Sequence, residues 1–209
     1  MQYDISDMER DVRTALDENR RSESLVADGD VDTLSLNDVI GQKIEDAVKA
    51  VEMSAPVELL DGVPFNDVAA TVTDDMNGYV TLPTDFMRLV AFRMSDWQCP
   101  VFAAMEPTDD AYIFQKSKWG IRGNWERPVC AIVPTANGRV LEFYCCRSKS
   151  ATVATALYLP YPKVENGKVG ISQRLYRAAV YMTAALVLMT YGDEANAKLL
   201  VEQSNNAKK

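Results

Sequence analysis

The chain has 209 residues, 47% of them hydrophobic, a formal net charge of −8 and no histidine. That length supports one core, or a core with a smaller subdomain. The missing histidine removes the usual general base, the usual zinc ligand and the Ser/His and Cys/His dyads, and the acidic balance disfavours sequence-independent DNA binding.

The mean hydropathy of −0.16 predicts that most of the chain folds. The first residues alternate in charge and read as neither a presequence nor a secretory signal. Residues 4–25 predict a helix, because Ile5, Met8, Val12, Ala15 and Leu16 recur at spacings of three and four. The polar stretch 27–33 predicts a loop. Ser35 then predicts an N-cap with Asp38 three positions on, a weaker box than one closed by Glu. A second helix follows over 36–53, with Ile40, Ile44, Ala47, Val48 and Val51 on its apolar face, and Pro56 ends it.

From residue 57 the period changes to that of strands. Asp74, Asp75, Asn77 and Gly78 read as a turn before a strand at 79–82. Leu82-Pro83 breaks that run, and a further strand over 87–94 puts Val90, Phe92 and Met94 on one face, with a bulge or late start needed to place Arg88. Three more strands are predicted at 129–134, 139–147 and 151–159, the first two joined by Asn137-Gly138. The local reading is one antiparallel meander of about five strands. Residues 105–127 form a long aromatic and charged loop, and residues 163–170 a second loop. Helices over 172–191 and 193–208 close the chain, hinged at Tyr191-Gly192-Asp193 with Asp193 as a cap.

The expected class is therefore α+β. N- and C-terminal helices form an antiparallel bundle, and an antiparallel sheet with the long loop is inserted between them. The boundaries predicted are 1–56, 57–170 and 171–209. The uncharged run Ala178 to Gly192 covers 15 residues, whereas a membrane span needs roughly 20. The expectation is a soluble protein whose apolar helix is either central in one subunit or partly covered by a neighbour. Residues 1–50 carry 13 acids and 6 bases, residues 171–209 carry 3 acids and 5 bases. Those opposite signs allow attraction within one chain or between subunits.

Chemistry is sparse. Cys99, Cys130, Cys145 and Cys146 form no CxxC pair and read as reduced, mostly buried small hydrophobes. Asp74-Asp75 and Asp109-Asp110 are adjacent pairs whose side chains diverge, so solvated turn acids are favoured over a divalent-cation site. No phosphate-cradling glycine loop or hydrolase motif occurs. In the long loop, Tyr112, Phe114, Trp119, Arg122 and Trp125 favour a protein interface. The alternatives are packing of the loop on its own sheet, or nucleic-acid binding with Lys116, Lys118, Arg122 and Arg127 on the backbone. At the corner, Pro83 sets the turn, Asp85 is expected to accept from backbone N–H groups, Phe86 to anchor the sheet, and Arg88 and Arg93 to pair outward. The polar end, Gln203 to Lys209, is expected to order only on docking.

The stretches GYVTLPTDFMRLVAFRMSDWQCPV at 78–101 and LYRAAVYMTAALVLMTYGDEANAKLLVEQSNNA at 175–207 resemble the head–tail adaptor (connector) proteins of tailed bacteriophages, most closely those of Bacteroides-type phages and prophages. They cover little more than a quarter of the chain, and the order helix, helix, sheet, helix, helix extends the likeness. The resemblance implies a structural protein of the virion with no cofactor and no catalytic residue. It implies a ring, commonly a dodecamer, seated below the portal protein, with DNA passing through the lumen without specific binding. Loops would reach toward tail components. Leu82 to Phe86 matches the corner that enters the insertion, and the terminal residues, with Lys208 and Lys209, match a portal-facing tail. The 105–127 loop has no counterpart. The competing reading is a nucleic-acid-binding packaging factor or a carboxylate-metal enzyme of phage origin.

Overall fold

The computed structural model describes residues 1–19, 35–116, 122–144 and 146–209. The predicted loop at 27–33, the end of the first predicted helix, Lys118, Trp119 and Cys145 lie outside the described residues. The class is mixed α and β with several antiparallel sheets. The chain divides into two compact units, one formed by residues 1–61 and 162–209, the other by residues 62–161.

The first unit holds β1 (Gln2–Asp4), α1 (Ile5–Asn19), α2 (Leu36–Ser54), β9 (Val164–Glu165), β10 (Lys168–Gly170), α4 (Tyr176–Thr190) and α5 (Glu194–Asn206). The predicted apolar positions of α1 and α2 are buried, except Ile5, which is half-buried, and α2 buries Val39 and Glu52 as well. The capping box at Ser35 closes in both directions despite the shorter Asp38. Helix α4 is packed by α1, α2 and α5. Ala178, Ala179, Ala184 and Ala185 are fully buried along it, so small side chains let the other helices come close. This favours the central-helix alternative: the chain's own helices supply the cover. Gly192 takes φ +80° between α4 and α5, a left-handed geometry that glycine adopts at no steric cost. Asp193 caps α5 through Asn196 N at 3.2 Å.

Two predictions for this unit are corrected. The segment 163–170 is a hairpin, not a loop: Asn166 and Gly167 both take positive φ, the geometry of a tight primed turn. Its strand β10 pairs on its other side with β1, a strand the periodicity of the first residues hid beneath the helix pattern. That pairing ties 163–170 to the helical unit, so the division falls after Tyr161 and not at residue 170.

The second unit contains β2 (Val63–Pro64), β3 (Thr71–Val72), β4 (Gly78–Thr81), β5 (Phe86–Met94), α3 (Asp110–Lys116), β6 (Val129–Thr135), β7 (Gly138–Tyr144) and β8 (Val153–Pro160). The single meander is replaced by two antiparallel sheets, ordered β2-β8-β5 and β3-β4-β7-β6. The physical reason is the Leu82-Pro83 corner. It ends pairing of β4 with β7 and carries the chain into the other sheet, where β5 pairs with β8. The register of β5 shifts at Phe86/Arg88, Leu89/Ala91 and Arg93/Met94, so the strand buries side chains on both faces. The two sheets meet through Phe92 and Phe143, with ring centroids 5.9 Å apart, and Trp97 packs edge-on against both rings. Gly78 is required here: a Cβ would lie 2.4 Å from the Thr71 carbonyl and 2.5 Å from the Phe143 ring.

The corner itself differs in its bonds from the expectation. Phe86 is fully buried, stacks on Tyr158 at 5.7 Å, and lies under the Arg139 guanidinium. Arg139 also donates to the Phe86 carbonyl. Among the described residues Asp85 accepts from the Tyr158 hydroxyl at 3.0 Å in place of the expected backbone N–H groups, and burial with that bond pushes the phenol's pKa up. Arg93 turns back to the Trp97 carbonyl at 3.1 Å. Cys99 is exposed, against the expectation of burial, while Cys130 and Cys146 are buried thiols.

Candidate protein-interaction surface

The expected loop at 105–127 contains a helix. Asp109 accepts from Glu106 N at 2.7 Å, and the turn it makes opens α3. Tyr112, on one side of α3, is buried against Ala131 and Tyr144. Its hydroxyl donates to Glu142 Oε2 at 3.1 Å, and Tyr144 donates to the same oxygen at 2.8 Å. Burial and that shared carboxylate raise the Tyr144 pKa far above its ordinary value, so its phenol stays a protonated donor beside the Tyr112 hydroxyl. They fasten α3 to the sheet.

A second fastening closes the arm. The Gln115 side chain is buried, donates to the Ala111 carbonyl at 3.2 Å and accepts from Gly123 N at 2.8 Å. Gly123 lies so close to Val129 that a Cβ would sit 2.9 Å from it. Residues 115 and 123 are thereby clamped together at the sheet.

With Tyr112 and Gln115 facing inward, Ile113 and Phe114 face outward, 71% and 56% exposed. Phe114 was expected in such a surface. Ile113 was missed, because a lone isoleucine among aromatics gave no signal until the helix phase was known. Tyr112 belongs to the fastening and not to the exposed surface. Trp125 is half-buried against the core beneath the Arg147 guanidinium, 5.1 Å from its ring, so this indole is no freely accessible anchor. Arg122 is half-buried, and Trp119 lies outside the described residues.

The expected polar tail is folded. Ser204 is fully buried and donates to the Ala178 carbonyl at 2.8 Å, within the helical unit. Lys208 is buried, its ammonium donates to Ser54 Oγ at 2.8 Å, and burial lowers its pKa. Lys209 is exposed and bonded to Asn206. The apolar stems of α5 hide this in the sequence, since Ser204 and Lys208 look solvent-facing by type. Pro83, Asp85 and Phe86 are brought together at the corner, remote in role from α3.

Among the described residues no group of three Cys, Asp or Glu side chains is placed to hold a metal ion, and no helix is long and apolar enough to cross a membrane. The chain matches no protein-family model, and no curated protein is significantly similar to it.

Proposed function

We propose that this chain is a structural adaptor of the head–tail connector of a tailed bacteriophage, forming a ring below the portal protein around the DNA channel of the virion. The observation that carries the reading is the α3 arm: two outward apolar side chains, Ile113 and Phe114, held on a helix fastened by Tyr112 and Gln115. A pinned apolar pair is what a docking contact needs, because ordering its side chains costs little more entropy on binding. The resemblance of residues 78–101 and 175–207 to connector proteins supports the same reading. So does a helical unit built from both ends of the sequence with a β unit from its middle. In this reading the helices make an antiparallel bundle that forms the ring body. The inserted sheets present α3 to a tail component, and DNA passes without specific contacts.

The test is to mix the protein with the portal protein encoded beside it and measure the mass of the product. A closed ring on the portal, commonly a dodecamer, is expected. No association with portal or tail components at any ionic strength would overturn the reading. Adsorption to duplex DNA in place of portal would favour the packaging alternative.

A further inference from the structure

The sheet β3-β4-β7-β6 carries a pocket of about 300 Å³, lined by Thr73, Asn77, Gly78, Tyr79, Glu142 and Tyr144. Strand register brings its chemistry together. Tyr79 on β4 stands directly opposite Glu142 on β7. Side chains two residues apart on a strand share a face, so Tyr144 stands beside Glu142. Val80, Leu141 and Phe143 alternate with them and are buried in the core on the other face. The turn before β4 closes one end of the pocket: the Thr73 amide and hydroxyl donate to the Asn77 carbonyl at 2.7 and 2.9 Å. The carboxylate is oriented from the side of the arm, where Tyr112 and Tyr144 donate to Glu142 Oε2. Both donors are hydroxyls, so these bonds fix the carboxylate without pairing it with a positive charge. Among the described residues no lysine or arginine lines the pocket. Lys149 reaches the same turn but holds Asp74, at 2.5 Å.

We propose that this pocket binds an organic cation, the charged end of a lysine or arginine side chain from a protein partner. The charge would lie against Glu142, and the Tyr79 ring, 42% exposed, would cover it from the side. A cation over a tyrosine face is attracted by the ring quadrupole, more strongly where water is partly excluded. The donor set separates this ligand from a metal ion. Calcium and magnesium take most of their six or more ligands from oxygen, and among the described residues no three acidic or thiol groups are placed to hold a metal. One carboxylate with aromatic walls suits a cation that carries its own apolar stem. The pocket lies wholly within the β unit, so the inference stands apart from the adaptor reading.

The test is an amide chemical-shift titration of the full chain, labelled with ¹⁵N. The probes are N-acetyl-lysine amide, N-acetyl-arginine amide, the neutral N-acetyl-norleucine amide and putrescine. The two cationic amino acids should give saturable shifts at Gly78, Tyr79 and Glu142, half-complete at about 1–10 mM, the range open to a ligand of that size. The norleucine analogue should give none. Glu142 is left intact in this test, because its loss would also release α3; the neutral analogue reads the charge in its place. Tyr79→Ala should weaken binding by about 10-fold with an unchanged melting temperature, and Tyr79→Phe, which keeps the ring, should bind as before. Equal shifts with norleucine, or unchanged affinity in Tyr79→Ala, would overturn the proposal. So would the absence of saturable shifts at these three amides. Shifts with putrescine but with neither amino acid would overturn the assignment to a protein side chain and leave a free polyamine as the ligand.

Discussion

Glu52 sits on α2 with 6% of its surface exposed, and burial pushes its carboxyl from its ordinary value of 4.5 up to about 7. A carboxyl whose folded pKa exceeds its unfolded one holds its proton more tightly in the native state. Its contribution to stability is therefore full at and below the unfolded value of 4.5 and is lost as pH rises through the folded value of about 7. The size is about 3 kcal/mol. Glu52→Gln should be nearly neutral at about pH 4 and stabilising by up to about 3 kcal/mol at about pH 8. Urea midpoints of both proteins across that range provide the measurement, and a constant difference between them would remove Glu52 as the source. Gly78 supplies a steric counterpart. Gly78→Ala forces a Cβ against the Thr71 carbonyl and the Phe143 ring, an overpacking that should cost about 1–3 kcal/mol or more in denaturant unfolding. A neutral result would mean that β3 can move away freely.

At the scale of elements, α3 and the end of α5 make opposite predictions. Ile113→Ser with Phe114→Ser removes exposed side chains, so the unfolding free energy should change by less than about 0.5 kcal/mol. Binding to the tail or portal partner should weaken by about 2 kcal/mol or more. A stability loss above about 2 kcal/mol would show that the pair packs as core. Removing residues 203–209 deletes the last turn of α5 and, with it, the side-chain hydrogen bonds from Ser204 to Ala178 and from Lys208 to Ser54. Each is worth about 1 kcal/mol, so the melting temperature should fall. An unchanged melting temperature would return this segment to the role of a free tail. Much of the helical pattern was legible: α1 and α2 follow from apolar spacing, α5 from the Gly192 hinge and the Asp193 cap, and the β6–β7 hairpin from Asn137-Gly138. What the sequence concealed depended on pairing between distant segments. β1 finds its partner at residues 168–170, and β5 finds β8 beyond two intervening strands. No local signal encodes either. The same holds for the arm, where Tyr112 and Phe114 look alike as aromatics and only the fastening to Glu142 separates the buried one from the exposed one.

For the molecule as a whole, the informative feature is that the β unit is continuous in sequence while the helical unit is not. Residues 62–161 own a complete core, centred on Phe92, Trp97 and Phe143, with Phe86 and Tyr158 at the corner. The two ends of the segment are also held together by its own hydrogen bonds: β2 pairs with β8, placing Val63 opposite Tyr158. A segment with its own core and adjacent ends loses little when cut from the chain. Residues 62–161 expressed alone should therefore fold. They should unfold in a single cooperative transition, with a urea dependence of about 1 kcal/mol/M, the slope ordinary for a domain of roughly this length. Buried Trp97 gives the fluorescence signal for that transition. The complementary piece has no such freedom. Its helix α4 is covered from one side of the sequence by α1 and α2 and from the other by α5. Residues 1–61 alone would expose the face that α4 buries, and should be unfolded or aggregated until residues 162–209 are supplied. A cooperative transition in 62–161 together with recovery of helicity on mixing 1–61 with 162–209 is the expected outcome. A non-cooperative 62–161 would show that the β unit is not autonomous, and that its stability draws on the rest of the chain.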